Sequence, residues 1–226
     1  MKAVLFDFGG TIDTDGIHWS EKFWEYYQRF KLPVTKDQFE RAFVASENEL
    51  AEVPVLRQAS FYETLRKQFL LQFKKLGLDA RDGMMKSMLD ACYADIDATV
   101  RKAKPVIEKL SMRYRLGVVS NFYGNLETVC QEFELYRYFN TVIDSVVVGL
   151  RKPDPAIWLL ALKNVNVKAE DAWAVGDSYE RDIAPTKKLG CNTIWLKGKS
   201  WNMPSSTEAA DFTIRELKEI EDILLP

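Results

Sequence analysis

The sequence predicts an α/β fold, a doubly wound parallel sheet that carries a helical-bundle insertion after its first strand. Three observations predict it. A short apolar run, Ala3-Val4-Leu5-Phe6, stops at Asp7 and a Gly9-Gly10 pair, the pattern of a strand buried on both faces. From about residue 17 to about residue 97, aromatic and aliphatic residues recur at helical spacing. Beyond residue 100, short apolar runs alternate with helical segments, as in a parallel sheet covered by helices.

Each element follows in order. In the insertion, Trp19, Phe23, Tyr26 or Tyr27, and Phe30 share one helical face. Phe39, Phe43 and Leu50 share a second, Phe61, Leu65, Phe69 and Leu76 a third, and Met85, Met88, Leu89 and Cys92 a fourth. Four amphipathic helices in succession form a bundle, punctuated at Pro33, Pro54, Gly77 and Gly83. Residues 116–119 then read as a strand ending at Ser120-Asn121, followed by a helix over about 125–133. Residues 142–148 read as a strand with an acid inside it, and 155–164 as a helix with Pro155 near its first position, where a missing N–H costs nothing. A strand over 172–175 ends at Gly176-Asp177. A helix over 179–189 tolerates Pro185, a strand covers 193–196, and a final helix covers 214–224. The organisation is a core formed by residues 1–15 and 98–226 and a helical insertion over 16–97.

The chain has 226 residues, 47% of them apolar and 28% charged. At ~150 residues per domain this is about 1.5 domains, enough to bury roughly 70% of the unfolded surface without disulfides or metal staples. Thirty-one basic against 33 acidic residues give a formal charge of −2, which excludes a generally basic nucleic-acid binder. The longest apolar run, 156–162, is far short of the ~18 residues of a membrane span. The first residues carry no signal-peptide stretch before Asp7. Cys92, Cys130 and Cys191 form no C-x-x-C pair and read as buried small hydrophobes in a reduced, cytoplasmic protein. Neither nucleic acid nor membrane is expected as a partner, and the oligomeric state stays open.

Open α/β sheets build sites where strands end at their carboxyl edges. The strand ends here carry Asp7-Phe8-Gly9-Gly10-Thr11, Ser120-Asn121, Arg151-Lys152-Pro153-Asp154-Pro155, and Gly176-Asp177-Ser178 with Asp182 five residues after Asp177. Asp7, Asp177 and Asp182 crowded together repel unless a cation joins them, and an all-oxygen donor set suits Mg²⁺. A lysine and a hydroxyl beside such a metal would hold a phosphate.

These four segments, in this order and each at a strand end, resemble the four motifs of the haloacid dehalogenase (HAD) superfamily. The helical insertion sits where that family places its first-type cap on a Rossmann-like core. The resemblance implies an Mg²⁺-dependent hydrolase acting on a small phosphorylated molecule through an aspartyl-phosphate. Asp7 is then the nucleophile. Ser120 binds the transferring phosphoryl oxygens, and Lys152 neutralises their charge and holds Asp7. Asp7, the Gly9 carbonyl, Asp177 and Asp182 form the metal site, with Asp177 binding directly and Asp182 supporting metal or lysine. Thr11, Asn121 and Asp13 are assigned to substrate binding; Asp13 matches an aspartate common just after the first motif and either lines the cap entrance or caps a turn. Asp15 and Gly16 read as hinge residues. A large cap encloses its substrate and excludes water.

One departure stands out. Phosphatases of the family usually carry a second aspartate two residues after the nucleophile, for acid–base work, and this sequence has Gly9 there. Such a group contributes roughly 10²–10⁴-fold. Branches without it include phosphonate hydrolases, which would want a cap lysine such as Lys22, Lys31 or Lys36, and dehalogenases, which dispense with the metal. Hydrolysis of C–P or C–halogen bonds is therefore the alternative, and a phosphate-ligand binder with impaired turnover is the third reading. His18, the only histidine, has the ordinary pKa for a substitute acid, although a capping or solvent-facing place is the simpler expectation.

Overall fold

The computed structural model describes residues 2–52, 56–80, 83–200 and 208–225, so Pro54 lies outside the described residues. Six parallel strands form one sheet in the order β3-β2-β1-β4-β5-β6: β1 (Ala3–Phe6), β2 (Arg115–Ser120), β3 (Thr141–Asp144), β4 (Ala172–Gly176), β5 (Asn192–Leu196) and β6 (Phe212–Ile214). Alternate residues of β1 feed opposite faces. Val4 and Phe6 join one apolar cluster with Ile107 and Leu116, whereas Ala3 and Leu5 join another with Ile157, Trp158 and Ala161 of α7 (Ala156–Val165). This two-sided burial is why the first run is apolar throughout rather than alternating. The fold is the doubly wound α/β core the sequence predicts.

The insertion contains α1 (Trp19–Arg29), α2 (Lys36–Glu52), α3 (Phe61–Leu76) and α4 (Met84–Ser111). Aromatic side chains make its core: the Tyr27 and Phe39 rings lie 4.8 Å apart, and Phe23 meets Phe69 edge-on at 5.0 Å. At the start of α3, the Ser60 hydroxyl accepts from the Glu63 N–H while the Glu63 carboxylate accepts from the Ser60 N–H, a reciprocal cap. The fourth helix does not stop near residue 97. Val100, Ala103, Val106, Ile107 and Leu110 continue its buried stripe, so α4 runs unbroken from the insertion into the core.

Three other expected elements change. The strand expected over 142–148 ends at Asp144, and the chain turns into one turn of helix, α6 (Ser145–Val148). The acid inside that run is the reason. The Asp144 carboxylate accepts from the backbone N–H groups of Val146 (2.9 Å) and Gly124 (2.8 Å), and of Leu126 at the start of α5 (Leu126–Glu132), so it caps two helices. The helix expected over 179–189 is a wide π-type turn, Tyr179–Ile183, followed by α8 (Ala184–Lys188) with Pro185 in its first turn. The final helix is shorter than expected: residues 212–214 add β6 to the sheet edge, and α9 covers only Ile220–Leu224. Among the described residues no helix is long and apolar enough to cross a membrane. All three cysteines are free and buried.

Candidate active site

The strand order places the site. β1 lies between β2 and β4, so the carboxyl ends of these three strands stand side by side where the winding reverses. Asp7 follows β1, and its N–H donates to the Val175 carbonyl (2.8 Å). Ser120 ends β2 and Asp177 follows β4. The chain leaves Asp7 through a tight turn at Gly10, which has φ +99°; a Cβ there would stand 2.5 Å from the Asp177 carboxylate, so only glycine brings the two loops this close.

Lys152 is buried at the centre. Its ammonium donates to Asp7 Oδ1 (2.5 Å), Asp182 Oδ1 (2.7 Å) and the Val119 carbonyl (3.1 Å), which uses all three of its N–H bonds. Asn121 clamps the same residue: its Oδ1 accepts from the Lys152 N–H (2.9 Å), and its Nδ2 donates to the Lys152 carbonyl (3.0 Å). The Ser120 hydroxyl donates to Asp7 Oδ1 (3.2 Å). Asp182 projects from the π-type turn, where its Oδ2 accepts from the Ser178 N–H (3.1 Å). A Cβ on Gly176 would lie 2.3 Å from that oxygen.

The electrostatics are those of charges forced together. Burial alone would depress the Lys152 ammonium, but the charges of Asp182 and Asp7 reverse this and hold it above its usual value. Burial, then the charges of Asp7 and Asp182, push the Asp177 carboxyl well above the carboxylate range. Burial also raises Asp182, against the pull of Lys152. Asp7, Asp177 and Asp182 each bring one carboxylate oxygen within 4.8 Å of the others. Three acids against one lysine leave uncompensated negative charge that an oxygen-loving dication fits. Both oxygens of Asp182 are already engaged by Lys152 and Ser178. Asp177 is the more open carboxylate; Asp7 already accepts from Lys152 and Ser120 on Oδ1 and from Thr11 on Oδ2, with the Gly9 backbone two residues further on.

A cavity of about 180 Å³ opens above these groups. Asp7, Gly9, Ser120, Asn121, Lys152, Asp177 and Asp182 line its core side; Trp19, Phe23, Phe43, Phe61 and Leu65 line the other. Of the residues assigned to substrate binding, the structure brings Asn121 to the wall and keeps Thr11 and Asp13 off it. The Thr11 hydroxyl donates to Asp7 Oδ2 (3.3 Å) and accepts from the Asp177 N–H (3.0 Å). Asp13 is fully buried; its Oδ1 accepts from the Gly10 N–H (2.8 Å) and its Oδ2 from the Trp19 indole (2.9 Å). Both side chains brace the first loop from behind. Asp15 Oδ1 accepts from the Leu217 N–H (2.7 Å) and ties the exit of that loop to the core.

His18 caps α1, accepting the Ser20 N–H on Nδ1, and also reaches the cavity wall. Burial, and then the nearby Arg181 charge, lower its pKa to about 4, so the ring is neutral near pH 7. Spacing and residue type do not mark Trp19 as a cover over Gly9, nor Gln68, Tyr123 and Arg181 as cavity residues. Glu47, on the same wall, does carry a signal: it falls four residues after Phe43 and three before Leu50, which puts a carboxylate on an apolar helical stripe.

A family model for haloacid dehalogenase-like hydrolases matches residues 1–190. The chain belongs to that family. This hydrolase is 36% identical over 127 residues to a glyceraldehyde 3-phosphate phosphatase of Methanocaldococcus jannaschii, a match covering 54% of each chain, so it spans about half the length of that relative. It is 25% identical to a glyceraldehyde 3-phosphate phosphatase of Methanopyrus kandleri over 99% of this chain and 97% of the relative. Among solved structures, the HAD phosphatase from Thermococcus onnurineus superposes with a TM-score of 0.58 at 25% identity, covering 99% of this chain and 98% of that one.

Proposed function

We propose that this hydrolase is a magnesium-dependent phosphatase that cleaves a small phosphorylated metabolite through an aspartyl-phosphate on Asp7. One observation carries the reading: Asp7 Oδ1 is held at once by the Lys152 ammonium and the Ser120 hydroxyl, at the centre of a three-carboxylate cluster. The relatives named as phosphatases support it over C–halogen or C–P cleavage. On the same reading, residues 16–97 form a cap over a core of 1–15 and 98–226, with α4 as the helix they share.

Magnesium suits the all-oxygen set, would be held by Asp7, Asp177 and the Gly9 carbonyl, and when bound would offset the charge of both the acids and the phosphoryl group. The chain's own groups do the rest. An Asp7 carboxylate oxygen attacks phosphorus as the P–O bond to the alcohol breaks. Lys152 neutralises charge on the transferring group, and the Ser120 hydroxyl donates to one of its oxygens. Asp182 keeps the lysine in place, and Asn121 fixes its backbone. Gly9 presents no side chain to protonate the departing alkoxide, which takes its proton from water. Water then attacks the phosphorus of the acyl phosphate, releasing inorganic phosphate and restoring Asp7. The aromatic wall and the size of the cavity suit a small molecule; at about 180 Å³ it is well under the roughly 300–1,000 Å³ of pockets for drug-sized ligands.

The test is phosphate release from a panel of small phosphate monoesters, with Mg²⁺ and with chelator, by the wild type and Asp7→Asn. Mg²⁺-dependent release abolished in Asp7→Asn is expected. Release that persists in Asp7→Asn, or halide release from haloacids that survives chelator with no phosphate release, overturns the proposal.

A further inference from the structure

The cavity wall carries a second set of charges apart from the catalytic cluster. Arg151 precedes Lys152 and Arg181 precedes Asp182, so both leave the strand-end loops beside the catalytic pair, and both line the cavity. The cap supplies Glu47 to the same wall. The Glu47 carboxylate accepts from the Tyr123 hydroxyl (2.5 Å) and from the Gln68 amide, and it feels both arginines through space. Yet among the described residues neither arginine forms an ion pair with it or with any other carboxylate.

The charge count is uneven. The Lys152 ammonium is paired with Asp7 and Asp182 and serves the phosphoryl group beside them. Glu47, whose carboxylate is already bonded to Tyr123 and Gln68, shares the cavity wall with two arginines, Arg151 and Arg181. Each guanidinium offers a planar fork that matches a carboxylate or phosphate oxygen pair, and both arginines are solvent-exposed at the cavity wall, where an entering anion can reach them. A substrate with a neutral tail would leave these forks to solvent.

Resting on the phosphatase reading, we infer that Arg151 and Arg181 form a subsite for a second anionic group, so that the favoured substrates are small phosphate monoesters that also carry a carboxylate or a second phosphoryl group. The cavity of about 180 Å³ keeps the second anion within a few atoms of the phosphate. In this arrangement Glu47 repels a misplaced anion and restricts where the second charge sits.

The test compares kcat/KM for three esters of similar size: glycerol 3-phosphate, with a neutral tail; 3-phosphoglycerate, with a carboxylate; and propane-1,3-diol bisphosphate, with a second phosphoryl group. At least one anion-bearing ester should exceed glycerol 3-phosphate by roughly tenfold or more, the scale of a charge-assisted contact. The carboxylate and bisphosphate arms tell the two anions apart. Arg151→Gln and Arg181→Gln should each pull that ratio towards one, and Glu47→Gln should raise it. Damage to the fold would scale all three esters together and leave the ratio alone. Equal kcat/KM for the three esters, or a ratio unmoved by both arginine substitutions, overturns the subsite and leaves the phosphatase reading intact. If none of the three releases phosphate, that reading fails separately. Calorimetric affinities of the same three esters for the Mg²⁺-loaded protein then decide the subsite, and equal affinities overturn it.

Discussion

The Trp19 indole lies 3.5 Å from the point where a Cβ on Gly9 would stand, through both Cδ1 and Nε1. Its N–H is held by Asp13 at 2.9 Å, so the ring is locked over the position where family phosphatases usually carry their acid–base aspartate. The missing carboxylate is therefore replaced by the edge of the indole rather than by open space, and neutral His18 does not supply an imidazolium in its stead.

Gly9→Asp tests what that absence costs. A Cβ at 3.5 Å is in ordinary contact, and Gly9 is not among the glycines with positive φ, so the backbone accepts the change. The mutant is expected to hydrolyse alkyl phosphates faster, by up to the roughly 10²–10⁴-fold that such a group contributes, and aryl phosphates with much less change. Steady-state rates across leaving groups of graded pKa check this; the wild type should show the steeper dependence.

Asp177→Asn should separate stability from function. Asp177 is buried against Asp7 and Asp182, whose charges oppose its ionisation. Removing its charge relieves that repulsion, so in chelator the mutant should be more stable by about 0.5–2 kcal/mol. Wild type should gain stability on adding Mg²⁺, because ligand binds the folded state, and the mutant should gain little. Urea unfolding with Mg²⁺ and with chelator reads both effects; equal Mg²⁺ stabilisation of the two proteins would contradict the site.

Gly176→Ala should act through Asp182. The added Cβ would lie 2.3 Å from Asp182 Oδ2, which must swing away from Ser178 and loosen its hold on Lys152. Destabilisation of about 1–3 kcal/mol is expected, as for other overpacked sites, together with a fall in kcat. Unfolding midpoints and turnover measured on one preparation check it, and unchanged turnover would show that Asp182 does not position the lysine.

His18 should make stability depend on acid pH. Its pKa falls from 6.5 to about 4 on folding. Between those values the unfolded chain binds the proton that the folded chain refuses. The stability tied to neutral His18 is thus complete above pH 6.5 and is lost as pH falls towards 4. His18→Asn, which keeps a capping side chain, should flatten that part of the profile in urea titrations between pH 4 and 8, measured on both proteins.

Much of the site was legible because polar residues that end buried strands have few structural reasons to be there. Asp7, Ser120 and Asp177 met this test; Lys152 lies in a loop beyond α6 and Asp182 in the π-type turn, and the structure brings all five together. Glu47 and Trp19 did not meet it, because their place depends on how α1 and α2 lie over the strand ends. Thr11 and Asp13 sit in the right loop, but their hydroxyl and carboxylate bond inward to Asp177 and Trp19, a direction that spacing does not encode.

The order of strand ends, the helical insertion and the charged cluster were determined by the sequence alone, since they follow from local hydrophobic period and from which residue types follow each apolar run. The tertiary structure decided what depends on distant partners. Phe212–Ile214 is a strand because the edge of β5 is there to pair with it. Asp144 ends its strand because the N–H groups of Gly124 and Leu126 arrive from another loop. The placement of α1 and α2 over the strand ends likewise sets Trp19 over Gly9 and brings Glu47 to the same wall as Arg151 and Arg181. Periodicity reports which face of an element is buried; only the closed fold reports what that face meets.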